Sequence, residues 1–235
     1  MIPKQTPWSA TPPLEGGHVG YILDDKGIVL SCDANYAMNK FQYVRQPSNL
    51  LNIGYSYACN PFPGQSGDKI ATMRTNTIPA LEGEVFGLES LLVDCNNRPI
   101  IGFKLKTTDD KLNYYYEYQC GNQTLAKIET KSTPFNDSNF TGVAQTYNLD
   151  RHIIDCSNKF LTAFNLRTTD DLTQYRYEYS CGENVPQIIE NFTMGSGSET
   201  ETNFWSNWGG FSAIITIIIL ILIVAMFVKK VRCGK

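Results

Sequence analysis

Charge is scarce in this chain of 235 residues: Asp, Glu, Lys and Arg together make up 18%, against roughly 25% in soluble domains. With 13 Tyr and 12 Phe in the same sequence, that composition favours strands over long surface helices and argues against an all-helical bundle. Histidine is scarcer still, present only as His18 and His152. No Cys-x-x-Cys and no Cys/His cluster occurs, so a zinc site finds no ligand set. Also missing are G-x-S-x-G, a Cys/His nucleophile pair, a phosphate-binding loop and a metalloprotease motif. An enzyme therefore has no sequence support, and no cofactor is expected. The opening MIPKQTPWSATPPLEGG has no apolar core, so a secretory signal peptide is not expected. Ile2 stands where N-myristoylation requires Gly.

One segment carries nearly all the extreme apolarity. Residues 208–228 contain no charge and, at about 1.5 Å per residue, reach roughly 31 Å as a helix, enough to cross a bilayer. Trp205 and Trp208 mark one interface, and Lys229, Lys230 and Arg232 the other. A Trp cluster of this kind also occurs in fusion proteins, but interfacial anchoring accounts for it more simply. Residues 191–208 hold no Lys or Arg, so the basic tail, 229–235, is expected in the cytosol or particle interior and the rest outside. Removing the four tail cations leaves 16 Lys and Arg against 23 Asp and Glu, a net charge of −7 for residues 1–208. Nucleic acid is an unsuitable partner for such a surface. Membrane lipid is the expected one.

The strongest pattern is internal. Residues 92–121 align without a gap onto 153–182, and residues 29–60 form a more divergent third copy. Each copy has one cysteine before a Phe-x-Leu/Tyr strand and one after a Tyr-rich strand. The pairs are Cys32 with Cys59, Cys95 with Cys120, and Cys156 with Cys181. Cys233 remains, beside the inner face of the membrane, where it is either palmitoylated or a free thiol. Pairing within each copy is expected, with bridges between neighbouring copies, such as Cys59 to Cys95, as the alternative.

Between the cysteines the alternation is strict. Tyr114, Tyr116 and Tyr118 match Tyr175, Tyr177 and Tyr179, and the first copy has Ile53, Tyr55 and Tyr57. Period two places each set on one strand face. Phe41, Phe103 and Phe164 begin the facing strands, and Thr-Thr-Asp-Asp (107–110, 168–171) or Gln-Pro-Ser-Asn (46–49) forms the turn between them. Each copy thus reads as a disulfide-stapled β-hairpin with an aromatic face. A lone hairpin leaves that face in water, so the three must pack together or recruit strands from their spacers. The expected fold is all-β: three hairpin repeats in a compact pseudo-threefold body, followed by one C-terminal transmembrane helix. Tandem beads are the alternative. The segments are an N-terminal arm (1–13), repeats at 14–80, 81–141 and 142–190, a Gly/Ser/Thr-rich stalk (191–207), the span (208–228) and the tail (229–235).

Two constellations invite chemistry. Asp109-Asp110 and Asp170-Asp171 suggest calcium or acid/base work, but adjacent Asp residues in a hairpin turn commonly serve the backbone through Asx geometry. The tyrosine faces suggest stacking on sugars, but they coincide with the face that must be buried. Asn-x-Ser/Thr sequons at Asn122, Asn136, Asn139 and Asn191 permit N-glycosylation.

At CSNKFLTAFNL and YRYEYSC the third copy resembles the repeat of the dermatopontin family, which implies a disulfide-closed hairpin unit. That family's Asp-Arg-x-Trp element is replaced here by Gln174-Tyr175-Arg176-Tyr177. The overall layout resembles virion membrane proteins of large cytoplasmic DNA viruses, which combine a signal-less start, a disulfide-bonded body, a single C-terminal anchor and a virus-encoded oxidation route. That resemblance implies a non-enzymatic virion membrane component for structure or host attachment, with other surface or virion proteins as partners. The alternative is a lectin-like cell-surface module whose partners are glycans.

Overall fold

The computed structural model describes residues 1–10, 28–63, 70–79, 85–110, 112–137, 146–171 and 173–184. The described residues are all-β and carry three disulfides. Among them, fifteen strands form three five-stranded sheets. Each sheet is centred on one hairpin predicted from the Tyr alternation: β4 (Tyr36–Gln46) with β5 (Asn49–Pro61), β9 (Ile100–Thr107) with β10 (Asn113–Cys120), and β14 (Phe160–Thr168) with β15 (Gln174–Glu183).

The second strand of every hairpin gains two short antiparallel partners. β1 (Ile2–Gln5) and β2 (Ser9–Ala10) pair with β5, β6 (Ala71–Arg74) and β7 (Ile78–Pro79) with β10, and β11 (Ala126–Ser132) and β12 (Asn136–Asp137) with β15. A threonine sits between the two short strands each time. Thr6, Thr75 and Thr133 accept the amides of Tyr55, Tyr116 and Tyr177 on their hydroxyls at 2.9, 3.0 and 3.0 Å. Their own amides donate back to the carbonyls of the same tyrosines. Residues near the chain's start therefore complete the first sheet, and residues 71–79 join the sheet of the hairpin that follows them.

The other edge is where the sheets interlock. β3 (Leu30–Ser31) precedes the first hairpin but pairs with β9 of the second sheet; β8 (Val93–Asp94) precedes the second hairpin but pairs with β14 of the third; β13 (Ile153–Asp155) precedes the third but pairs with β4 of the first. Each lead-in strand thus serves the next sheet, and the exchange closes into a ring.

That exchange is what gives the inward faces something to pack on. Phe41, Phe103 and Phe164, one from each sheet, are in mutual contact, with ring centroids 4.9, 5.0 and 4.8 Å apart. Around them lie the buried tyrosines of all three hairpins, from Tyr55 and Tyr57 to Tyr177 and Tyr179. Edge-to-face pairs of this kind add roughly 0.5–1.5 kcal/mol beyond the area they bury. One core results, as the packed alternative required, and no part of it is a separate bead.

Among the described residues no helix is long and apolar enough to cross a membrane. The predicted stalk and span, with Trp205, Trp208, Lys229, Lys230, Arg232 and Cys233, lie outside the described residues.

Candidate functional site

The six paired cysteines are joined as Cys32–Cys59, Cys95–Cys120 and Cys156–Cys181, within each copy and not between neighbours. Their mechanical role differs from that of a staple closing one hairpin. The first cysteine of each pair follows a lead-in strand, which belongs to the next sheet, and the second lies on the hairpin's own outgoing strand. The amides of Cys32, Cys95 and Cys156 donate to the carbonyls of Ile101, Thr162 and Asn39 on those neighbouring sheets. Every disulfide therefore crosses a seam between sheets. A tyrosine hydroxyl crosses at the same level: Tyr57 donates to the carbonyl of Ser31, Tyr118 to Asp94 and Tyr179 to Asp155, at 3.2, 3.2 and 3.3 Å.

The inward-facing tyrosine rings of the three hairpins offer no platform to a ligand. Tyr114, Tyr116, Tyr175 and Tyr177 are 0–4% exposed, and burial raises the pKa of Tyr116 and Tyr177 well above that of a free phenol. The second aspartate of each pair serves its own turn. Asp110 Oδ1 accepts from the Thr108 hydroxyl and the Leu112 amide, and Asp171 Oδ1 from the Thr169 hydroxyl, the Thr173 amide and the Thr173 hydroxyl. Those hydrogen bonds, led by the threonine hydroxyl in each case, lower both carboxyl pKa values. Among the described residues there is no group of three or more His, Cys, Asp or Glu placed to hold a metal ion.

Two sequons fall on described residues. Asn122 is half-buried in the bend after Cys120, with its Oδ1 buried and without a protein partner. Asn136 lies on β12, half-buried, its Nδ2 donating to the Pro134 carbonyl at 3.4 Å. Asn139 and Asn191 lie outside the described residues.

Two surface features remain. The first is the set of hairpin tips, which lie at the opposite end of the strands from the cysteines. Leu50 and Leu112, at the first two tips, are 58% and 68% exposed. The second is a groove of about 320 Å³ on the outer face of the second sheet, lined by Val29, Ser31, Thr72, Lys104, Glu117 and Gln119 above the backbone of Gly102. Register explains why it opens on this sheet. Gly102 pairs with Ser31, whereas the corresponding pair is Lys40 with Asp155 on the first sheet, an ion pair of 2.9 Å, and Ala163 with Asp94 on the third. Small residues on both strands leave the second face open. Gly102 is itself dictated by packing, because a Cβ there would stand 2.5 Å from the Leu30 carbonyl oxygen.

Sequence reasoning found the cysteines, the aromatic core and the turns. It missed Thr6, Thr75 and Thr133, which stand at unequal distances before their cysteines, so no fixed offset exposes them. It also missed the groove, which depends on comparing paired positions across strands.

No family model, no curated protein and no solved structure matches the chain.

Proposed function

We propose that the chain is a non-enzymatic, single-pass membrane protein that presents a rigid, disulfide-clasped β body as a structural or attachment module on a virion membrane. The body is three copies of one unit around a pseudo-threefold axis. The observation that carries this is the clasp at each seam: three buried disulfides, placed so that each one locks a strand exchange, suit a module that must keep its shape in an oxidising exterior. Each closed loop of 25 or 27 residues contributes roughly 3–4 kcal/mol by the chain-entropy estimate. The apolar segment 208–228 supplies the anchor, the basic residues after it the inside orientation, and Cys233 a thiol on the protected side. The hairpin tips, with the exposed Leu50 and Leu112, are the part that meets other surface or virion proteins.

Topology is tested by external protease and a membrane-impermeant maleimide on intact particles or cells. The body is expected to be digested while Cys233 stays unlabelled until the membrane is permeabilised. Labelling of Cys233 without permeabilisation contradicts this topology. Asn-linked glycan on the purified protein points to a cellular secretory surface protein; intact disulfides without glycan point to a virion route.

A second reading, a glycan-binding module, is favoured by the groove. Lys104, Glu117, Gln119, Thr72 and Ser31 offer donors and acceptors beside the apolar Val29, a mixture that suits a polyhydroxylated ligand. A glycan array probed with the native chain and with Gln119→Ala decides it: selective binding lost in the variant supports the reading, and a blank array removes it.

A further inference from the structure

Each path into a lead-in strand passes through one buried position, four residues before the first cysteine. Ile28 and Leu91 occupy it at the first two seams, and His152, only 1% exposed, occupies it at the third. A histidine thus stands where the two sister sites hold an aliphatic core residue. His152 Nδ1 lies 2.8 Å from the Thr133 hydroxyl oxygen, which already accepts the Tyr177 amide. The hydroxyl hydrogen has no other acceptor among the described residues, so it is donated to Nδ1 and the neutral ring carries its proton on Nε2. Nε2 is buried and has no hydrogen-bond partner. The ring packs against Tyr175 and Tyr177, with centroids 5.2 and 5.9 Å away. His152 leads into β13 of the first sheet, and Thr133 joins β11 to β12 of the third. The hydrogen bond between them therefore spans the same seam as Cys156–Cys181.

We infer that His152 is a proton-operated latch on this one seam: neutral, it ties the approach to β13 to the third sheet; protonated, it lets go of that sheet and loosens β13, while the seams filled by Ile28 and Leu91 do not respond. A second proton has to enter at Nδ1, where the Thr133 hydroxyl already points its own hydrogen. Accepting it forces that hydroxyl to turn away from its only acceptor, and it leaves a cation whose Nε2–H is unpaired in a dry site.

The surrounding charges do not rescue that cation. From the 3-10 helix Thr146–Arg151 come Asp150 and Arg151. Asp150 is engaged by Arg45 of β4, whose Nε stands 2.6 Å from its Oδ2. Asp137 of β12 accepts from Gln174. β15 faces the ring with Tyr175 and Tyr177, whose pKa values burial raises above the ordinary phenol. Burial, and after it the Arg151 cation, lowers the His152 pKa from 6.5 to about 4, against the weaker pull of Asp150. In the unfolded chain this ring takes its proton near pH 6.5. The contribution to stability is therefore complete above that pH, declines as pH falls toward about 4, and is constant below. The difference corresponds to roughly a 300-fold change in the unfolding constant.

The test uses the full chain in detergent micelles with histidine-selective isotope labelling, since only two rings, His18 and His152, report. The latch predicts that one ring titrates near pH 4 and that the amides of Ile153, Ile154 and Asp155 lose exchange protection as pH falls from 6.5 to 4. It also predicts that His152→Leu, which copies the residue at the second seam, keeps its protection across that window. Two rings titrating near 6.5, or a His152→Leu variant that loses protection as the native chain does, overturns the inference. If the variant does not fold, the native chain decides: protection that stays flat across the window, or a ring with an ordinary pKa, overturns it.

Discussion

Phe41, Phe103 and Phe164 are where the three sheets become one core, because each ring touches both of the others. Phe103→Ala removes four aromatic contacts at once, with Phe41, Tyr55, Tyr116 and Phe164, and opens a cavity that rigid strands cannot close. It is expected to lower unfolding stability by about 3–5 kcal/mol, with Phe103→Leu costing much less. Urea denaturation of the full chain in detergent reads the difference; equal costs for the two variants contradict the central role given to the ring. At this scale the sequence was informative. Strict Tyr alternation identified the buried faces, and two cysteines per copy identified the bridges. The position of His152 could be aligned with Leu91, but alignment alone does not say that the ring is buried with an unpartnered nitrogen. Thr6, Thr75 and Thr133 carry no such regularity, since each serves a backbone group whose location only pairing reveals.

The long hairpins were legible as elements because each has enough residues for period two to register. The lead-in strands were not. β3 and β8 are two residues each and β13 three, too short for any periodicity to announce them. Their exchange between sheets is a long-range choice with no local signature, so the disulfides read as staples of single hairpins when they in fact span the seams. Gly102 marks one such exchange, where β3 comes within reach of β9. Gly102→Val drives a side chain into the Leu30 carbonyl and is expected to cost about 1–3 kcal/mol. At Ala163, the matching position of the third sheet, Ala→Val is expected to cost less. Thermal unfolding of the two variants distinguishes them, and indistinguishable costs contradict the close approach at Gly102.

Among the described residues, each of the three sheets takes a lead-in strand from the segment before another sheet's hairpin. A fragment holding residues 70–125 retains the β9–β10 hairpin but sends β8 toward a partner it lacks and receives no β3, so it is expected to show no cooperative unfolding and poor amide dispersion. A well-dispersed fragment spectrum contradicts the ring. The most direct measurement is the disulfide map of the native protein, obtained by digestion without reduction after blocking free thiols. The predicted map contains only the peptides joining Cys32 to Cys59, Cys95 to Cys120 and Cys156 to Cys181, with Cys233 outside these pairs. Unmodified thiols at those six positions, or a Cys59–Cys95 peptide, contradict it.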